Sequence, residues 1–237
     1  MSGAGQPVAI VTGASQGIGA GLVAGYRRQG WAVVANSLTI KPSDDDAILT
    51  VEGDVADPAT GDRIVAGALD RFGRIDTLVN DAGLFIGKPF TDYTPDDYQR
   101  IVAVNLTGFF MVTQRVIGPM LERGSGHIVN ISTTMVEHAH STSPALLAAL
   151  TKGGLVAATK SLAVEYASRG IRANAVSLGV IETPLNPPEA YAALAKLHPM
   201  GRVGQVSDVV AGILYLESAP FVTGEILHID GGQSAGL

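Results

Sequence analysis

Val8-Ala9-Ile10-Val11-Thr12-Gly13-Ala14-Ser15-Gln16-Gly17-Ile18-Gly19 is the stretch on which the reading of the fold turns. Four apolar residues make a short buried strand, and a helical pattern begins at the last two glycines. Glycines at 13, 17 and 19 allow a tight turn and let backbone come close to a bound group. The helix that follows offers free N–H groups and the positive end of its dipole. A strand, a glycine turn and a helix in that order make a seat for a diphosphate, with Gly13, Ser15, Gln16, Gly17, Ile18 and Gly19 as its contacts.

Outward from this turn the same rhythm repeats. Strand patterns are expected at 8–11, 31–35, 48–51, 77–79, 127–131, 172–176 and 226–229, and helical patterns at 17–29, 58–72, 95–122, 145–168 and 207–217. The strands are almost uniformly apolar, as strands buried on both faces must be. Alternation of this kind predicts an α/β fold of the Rossmann type, doubly wound, with a mainly parallel sheet and helices on both faces. No linker or repeat divides the chain, so 1–237 is expected to form a single domain. The segment 182–205 carries Pro184, Pro187, Pro188 and Pro199 around a short helical stretch and reads as a substrate lid.

Composition narrows the class. Sixteen basic against 22 acidic side chains leave a net charge of −6, which argues against a nucleic-acid-binding face. Cysteine is absent, so disulfides, thiol nucleophiles and cysteine–metal sites are excluded. No uninterrupted apolar run approaches ~18 residues and the N-terminus carries no signal pattern, so a soluble cytoplasmic protein without membrane partners is expected. His127, His198 and His228 stand isolated, and no metal is expected.

Further motifs fall in order along the chain: Gly53-Asp54-Val55, Asn80-Asp81-Ala82-Gly83, Asn105, Ile128 to Thr133, Lys152, Leu178-Gly179-Val180-Ile181-Glu182-Thr183, Val222-Thr223-Gly224 and Asp230-Gly231-Gly232. Together with the glycine turn they resemble the short-chain dehydrogenases/reductases over essentially the whole chain. The resemblance implies hydride transfer between a nicotinamide and a carbonyl or alcohol of a small-molecule substrate. It places Asp54, Val55, Asn80, Ala82, Gly83, Lys152, Ile181 and Thr183 at the cofactor. Asn105, Lys152 and a strand-end hydroxyl become the catalytic group, the hydroxyl aligning best with Thr133 and second with Ser132. It further implies a homotetramer or homodimer, packed through the helix of 145–168.

The chain departs from that pattern at two positions. Asp81 stands where the family motif has its second asparagine. Ala148 stands four residues before Lys152, where the family carries its proton-donating tyrosine, and no tyrosine lies between Tyr98 and Tyr166. A positioned general acid is worth roughly 10²–10⁴-fold in rate. Three resolutions are open. A substitute acid is one, with His138 or His140 in the loop after Thr133 as candidates and Tyr191 as a weaker one. An imine-type acceptor, already cationic, is the second. A redox-inactive dinucleotide or metabolite sensor is the third.

Cofactor preference is read from the end of the second strand, Asn36-Ser37-Leu38-Thr39-Ile40-Lys41. An acidic residue there would accept the ribose 2′-hydroxyl and repel a 2′-phosphate. None is present, and Asn36 and Ser37 can hydrogen-bond a phosphate, so NADP(H) is favoured over NAD(H).

Overall fold

The computed structural model describes residues 5–139 and 143–236. Seven strands form one sheet: β1 (Val8–Val11), β2 (Ala32–Ser37), β3 (Ile48–Glu52), β4 (Thr77–Asn80), β5 (Gly126–Thr133), β6 (Ile171–Leu178) and β7 (Ile226–Ile229). Their spatial order is β3-β2-β1-β4-β5-β6-β7 and every pairing is parallel. The helices are α1 (Gly17–Arg28), α2 (Pro58–Phe72), α3 (Pro95–Val102), α4 (Phe109–Arg123), α5 (Leu146–Tyr166), the single turn α6 (Tyr191–Leu194) and α7 (Val206–Ser218). The doubly wound α/β fold expected from the sequence is therefore what the chain forms.

The period of two along β1 builds two cores. Val8 and Ile10 point into one with Ile64 of α2 and Val112, Val116 and Met120 of α4. Ala9 and Val11 point into the other with Leu22 and Tyr26 of α1 and Val209, Ile213 and Leu216 of α7. The chain leaves β1 toward β2 on one side and reaches β4 on the other. A crevice must open at the carboxyl ends of β1 and β4, where the winding reverses.

Several helix boundaries have local causes. Asp57 caps α2 by accepting the Ala59 N–H at 3.0 Å, and Pro58 fills the first helical position. Thr94 and Asp97 form a reciprocal capping box on α3. The helical pattern at 95–122 is one continuous rod, but with a π-helical segment at Ala103–Gly108 between α3 and α4. Such an insertion re-aims the side chains it carries, and here it carries Asn105. The stretches Pro95–Arg123 and Leu146–Arg169 are long and apolar enough to cross a bilayer by length and composition, but each lays one face on the sheet layer.

Helix α5 has two unlike faces. Leu147, Leu155 and Ala163 are buried, whereas Leu150 is 55% exposed and Gly154 is open. The inner face packs on β5 and β6, and the outer face is an uncovered apolar surface.

The amino ends of the strands are joined by a buried polar network centred on Glu217 of α7. Its carboxylate accepts from Tyr26 Oη at 2.9 Å, Thr77 Oγ1 at 2.7 Å and His127 Nδ1 at 3.2 Å. Asn174 Nδ2 donates to His127 Nε2 at 3.0 Å, which leaves the ring proton on Nδ1. His127 was isolated in sequence because its partners are 47 and 90 residues away. Burial pushes the His127 pKa below its ordinary 6.5. Burial opposes the ionised Glu217, but its hydrogen bonds from His127, Thr77 and Tyr26 prevail and hold it below 4.5. Both groups bind protons more readily unfolded than folded, so their stabilisation is full above about pH 6.5 and is lost as pH falls. Urea unfolding should show stability declining from pH 7 to pH 5, and Glu217→Ala should cost about 3 kcal/mol at pH 7. A flat pH profile with an unchanged midpoint in the variant would refute this reading of the network.

Candidate functional site

At the carboxyl ends of β1 and β4 lies a groove of about 530 Å³. Gly13, Ser15, Gln16, Gly17, Ile18, Ser37, Asp54, Val55, Asp81, Ala82, Gly83 and Thr183 all line it. All of these except Asp81 are contacts that the sequence leads one to expect for the cofactor. Residues that it missed, among them Leu84, Arg100, Val104, Pro184 and Leu185, complete the wall. They belong to no short motif and become visible only when α3, the π-helical segment and the 182–205 segment are placed.

The groove is shaped by a hydroxyl. Thr12 Oγ1, at the end of β1, accepts the N–H groups of Asp81 and Ala82 at 3.1 Å each. This draws the turn after β4 against the glycine turn. Gly13 has φ +71°, and a Cβ there would stand 2.9 Å from Ala82 N. Only glycine satisfies both that backbone region and that approach. Gly17 has φ +55°, and a Cβ there would meet Thr183 at 3.4 Å, so the start of the 182–205 segment sits over the turn.

Three expected cofactor contacts direct their side chains elsewhere, although Asn36 itself still borders the groove. Asn36 is fully buried, and its Nδ2 donates to the carbonyls of Val51 at 2.9 Å and Gly53 at 3.1 Å. Its amide ties the end of β2 to the loop after β3 and is not offered to a phosphate. Asn80 Nδ2 donates to Thr113 Oγ1 at 3.0 Å and Asn130 Oδ1 at 2.9 Å, so it locks β4 to β5 and α4. Ile181 is also buried, its side chain in the core on the α1–α7 face. Ser15 and Ser37, by contrast, meet through their hydroxyls at 2.9 Å on the groove rim.

The catalytic candidates separate in the same way. Asn105 Oδ1 accepts the Leu84 N–H at 2.8 Å, and its Nδ2 donates to Leu84 O and Thr151 Oγ1 at 3.0 Å each. It thus ties the loop after β4 to α5 one residue before Lys152. Lys152 Nζ donates to Ile131 O at 2.8 Å and lies beside Gly83 and Asn105 Oδ1. Burial pulls its pKa down to about 8, against the attraction of Asp81. Burial likewise pushes Asp81 up to about 7, against Lys152 and a hydrogen bond from the Gly19 N–H.

Ser132 is buried, with its hydroxyl directed at the Lys152 carbonyl at 3.4 Å, so it is tied beneath α5. Thr133 at the strand end is half-buried, and its Oγ1 accepts from Met135 N at 3.4 Å, which leaves the hydroxyl proton free to donate. Of the two side chains, that of Thr133 is the less buried. Ala148, one turn before Lys152, is buried and offers a methyl group.

Among the described residues, neither His138 nor Tyr191 lines the groove wall. His138 is exposed and is not among the lining residues, and His140 lies outside the described residues. Tyr191 Oη donates to Asn186 O at 3.1 Å and so holds its own segment together. Glu137 of the same loop pairs instead with His228 of β7 at 2.8 Å, across 91 residues. His198, the other histidine read as isolated, accepts the Val180 N–H on Nε2 at 3.0 Å and braces the chain after β6.

A family model described as enoyl-(acyl carrier protein) reductase matches residues 13–234. The chain belongs to the short-chain dehydrogenase/reductase family. Among its relatives, 3beta-hydroxysteroid dehydrogenase 1 of Eggerthella lenta is 36% identical over 95% of this chain and 92% of its own length. Among solved structures, ElxO with NADP bound superposes with a TM-score of 0.91 at 28% identity, covering 98% of this chain and 100% of that one. A 3-ketoacyl-(acyl-carrier-protein) reductase from Brucella melitensis complexed with NADH gives 0.89 at 31% identity over 96% and 98%. This short-chain dehydrogenase/reductase is thus an oxidoreductase by family, and its structural neighbours bind NADP or NADH.

The Thr12 clamp sets the groove and can be tested without any ligand. Thr12→Val leaves two amide N–H groups without their acceptor and should lower unfolding stability by about 2 kcal/mol, while Thr12→Ser should cost less than half as much. Equal losses in the two variants, measured by urea titration, would show that the hydroxyl is not what joins the turns.

Proposed function

We propose that the chain is an NAD(P)(H)-dependent oxidoreductase acting on a small carbonyl, alcohol or imine, with a proton-donating arrangement unlike that of its relatives. The observation that carries this reading is a glycine-lined groove whose Gly83 has Lys152 Nζ and Asn105 Oδ1 beside it, with a methyl group at position 148 one helical turn before that lysine. The fit to a dinucleotide is supported by the absence of side-chain bulk at Gly13 and Gly17 and by an N-cap of α1, Gln16, that makes no side-chain capping hydrogen bond. When bound, the nicotinamide supplies or accepts the hydride.

The chain's own residues supply the rest. The amides at the start of α1 hold the diphosphate, and Asp54, Val55, Ala82, Gly83 and Thr183 border the remainder. Lys152, fixed by Ile131 O, grips the nicotinamide ribose. The Thr133 hydroxyl donates to the substrate's oxygen or orients its nitrogen. The lid role of 182–205 is supported by Thr183, Pro184 and Leu185 on the groove wall. NADP(H) is favoured because no carboxylate ends β2 and the hydroxyls of Ser15 and Ser37 stand free of one; Lys41 lines the adjoining hollow, which Glu52 shares. The exposed Leu150, Leu146 and Phe110 on α4 and α5 support a homo-oligomer.

Without a tyrosine, protonation of a neutral ketone is the step most weakened, and an iminium acceptor avoids it. Ala148 also supports a second reading, a redox-inactive dinucleotide sensor on the same fold. Fluorescence titration with NADPH and NADH, followed by a panel of ketones, alcohols and cyclic imines, decides between them. Binding with turnover is expected, with imines ahead of ketones and NADPH bound more tightly than NADH. Ala148→Tyr should raise ketone kcat/KM by about 10²-fold. Binding without turnover of any class would select the sensor, and no binding of either dinucleotide at millimolar concentration would overturn both readings.

A further inference from the structure

Asp81 is the one groove-lining position that the sequence marks as a departure and that the proposed reaction does not use. Its carboxyl sits behind the glycine turn. The Oδ2 atom lies 3.2 Å from the point where a Cβ on Gly13 would stand and 2.8 Å from the same point on Gly19. It accepts the Gly19 N–H, within the first turn of α1. An acid therefore already occupies part of the positive field at the helix start that a diphosphate needs.

We propose that Asp81 makes dinucleotide binding proton-linked, so that the groove takes up one proton on this carboxyl as it takes the cofactor. The inference rests on the reading of the groove as a dinucleotide site. An ionised Asp81 and a diphosphate at the same helix end repel one another across a partly buried gap, where charges are poorly screened. Protonation removes that repulsion, and an asparagine would never feel it.

The charges around Asp81 fix the direction of the effect. From α5 it faces Lys152, the charged side chain that bears on it among the described residues. From β1 and the turn it faces the neutral Thr12, Gly13 and Gly19, and the neutral Asn105 stands beside Lys152. Asp54 and Arg100 lie elsewhere on the groove wall. Burial holds the Asp81 carboxyl near pH 7 in the free chain, so the linkage falls in the accessible range. Above that pH each bound cofactor must recruit a proton, and affinity declines toward tenfold per pH unit. Lys152, losing its charge near pH 8, adds a smaller decline of the same sign.

The test is the dissociation constant for NADPH between pH 6 and pH 8 in the full-length protein and in Asp81→Asn, read by ligand fluorescence. Calorimetry in two buffers of different ionisation enthalpy counts the protons. Wild type should weaken about tenfold across this interval and take up a proton at pH 7.5. Asp81→Asn should weaken by about threefold or less and bind more tightly than wild type at pH 8. Parallel pH slopes in the two chains, or equal proton uptake, would overturn the inference while leaving the dinucleotide reading intact. Absence of binding in both chains at every pH would overturn that reading and the inference with it. A circular dichroism spectrum and melting curve for Asp81→Asn matching wild type exclude misfolding as the source of any difference.

Discussion

The meeting of β1 and β4 through the Thr12 hydroxyl is the contact on which the site depends. One oxygen accepts two consecutive amides, and the glycine beside it lets the second strand's turn come within van der Waals distance. Because the sheet winds outward in opposite directions from this pair, a crevice opens above their carboxyl ends. The groove, the helix start that faces it, and the Lys152–Asn105 assembly at its inner end all take their positions from that junction.

Much of the fold was legible in the sequence because a parallel sheet buried on both faces makes its strands uniformly apolar. The strands at 8–11 and 226–229 match the observed limits, and the others fall within a few residues of them. The π-helical segment at Ala103–Gly108 was not legible, since an inserted residue inside a helical pattern leaves the apolar period almost unchanged. The pairings of Glu217 with His127 and of Glu137 with His228 were hidden by sequence distances of 90 and 91 residues. Motif positions were readable, but the directions of side chains were not. Asn36 and Asn80 carry the right residue types at the right places and still turn their amides inward to close backbone carbonyls and a buried polar chain.

The two substitutions that set this chain apart both bear on Lys152. Ala148 removes a proton donor from α5, and Asp81 adds an acid at the head of the groove, with Lys152 between the two in its electrostatic influence. A lysine facing a tyrosine would have one task, and a lysine facing a half-buried carboxyl has another.

The central claim is that the amides at the start of α1 seat a diphosphate and thereby bring a nicotinamide to Lys152. A crystal structure of the protein grown with NADPH tests it most directly. The account predicts the diphosphate against the Gly17–Gly19 backbone and the nicotinamide ribose within hydrogen-bond reach of Lys152 Nζ. A cofactor bound in another cleft, or a groove closed over by Asp81 and the 182–205 segment with the ligand absent, would contradict it.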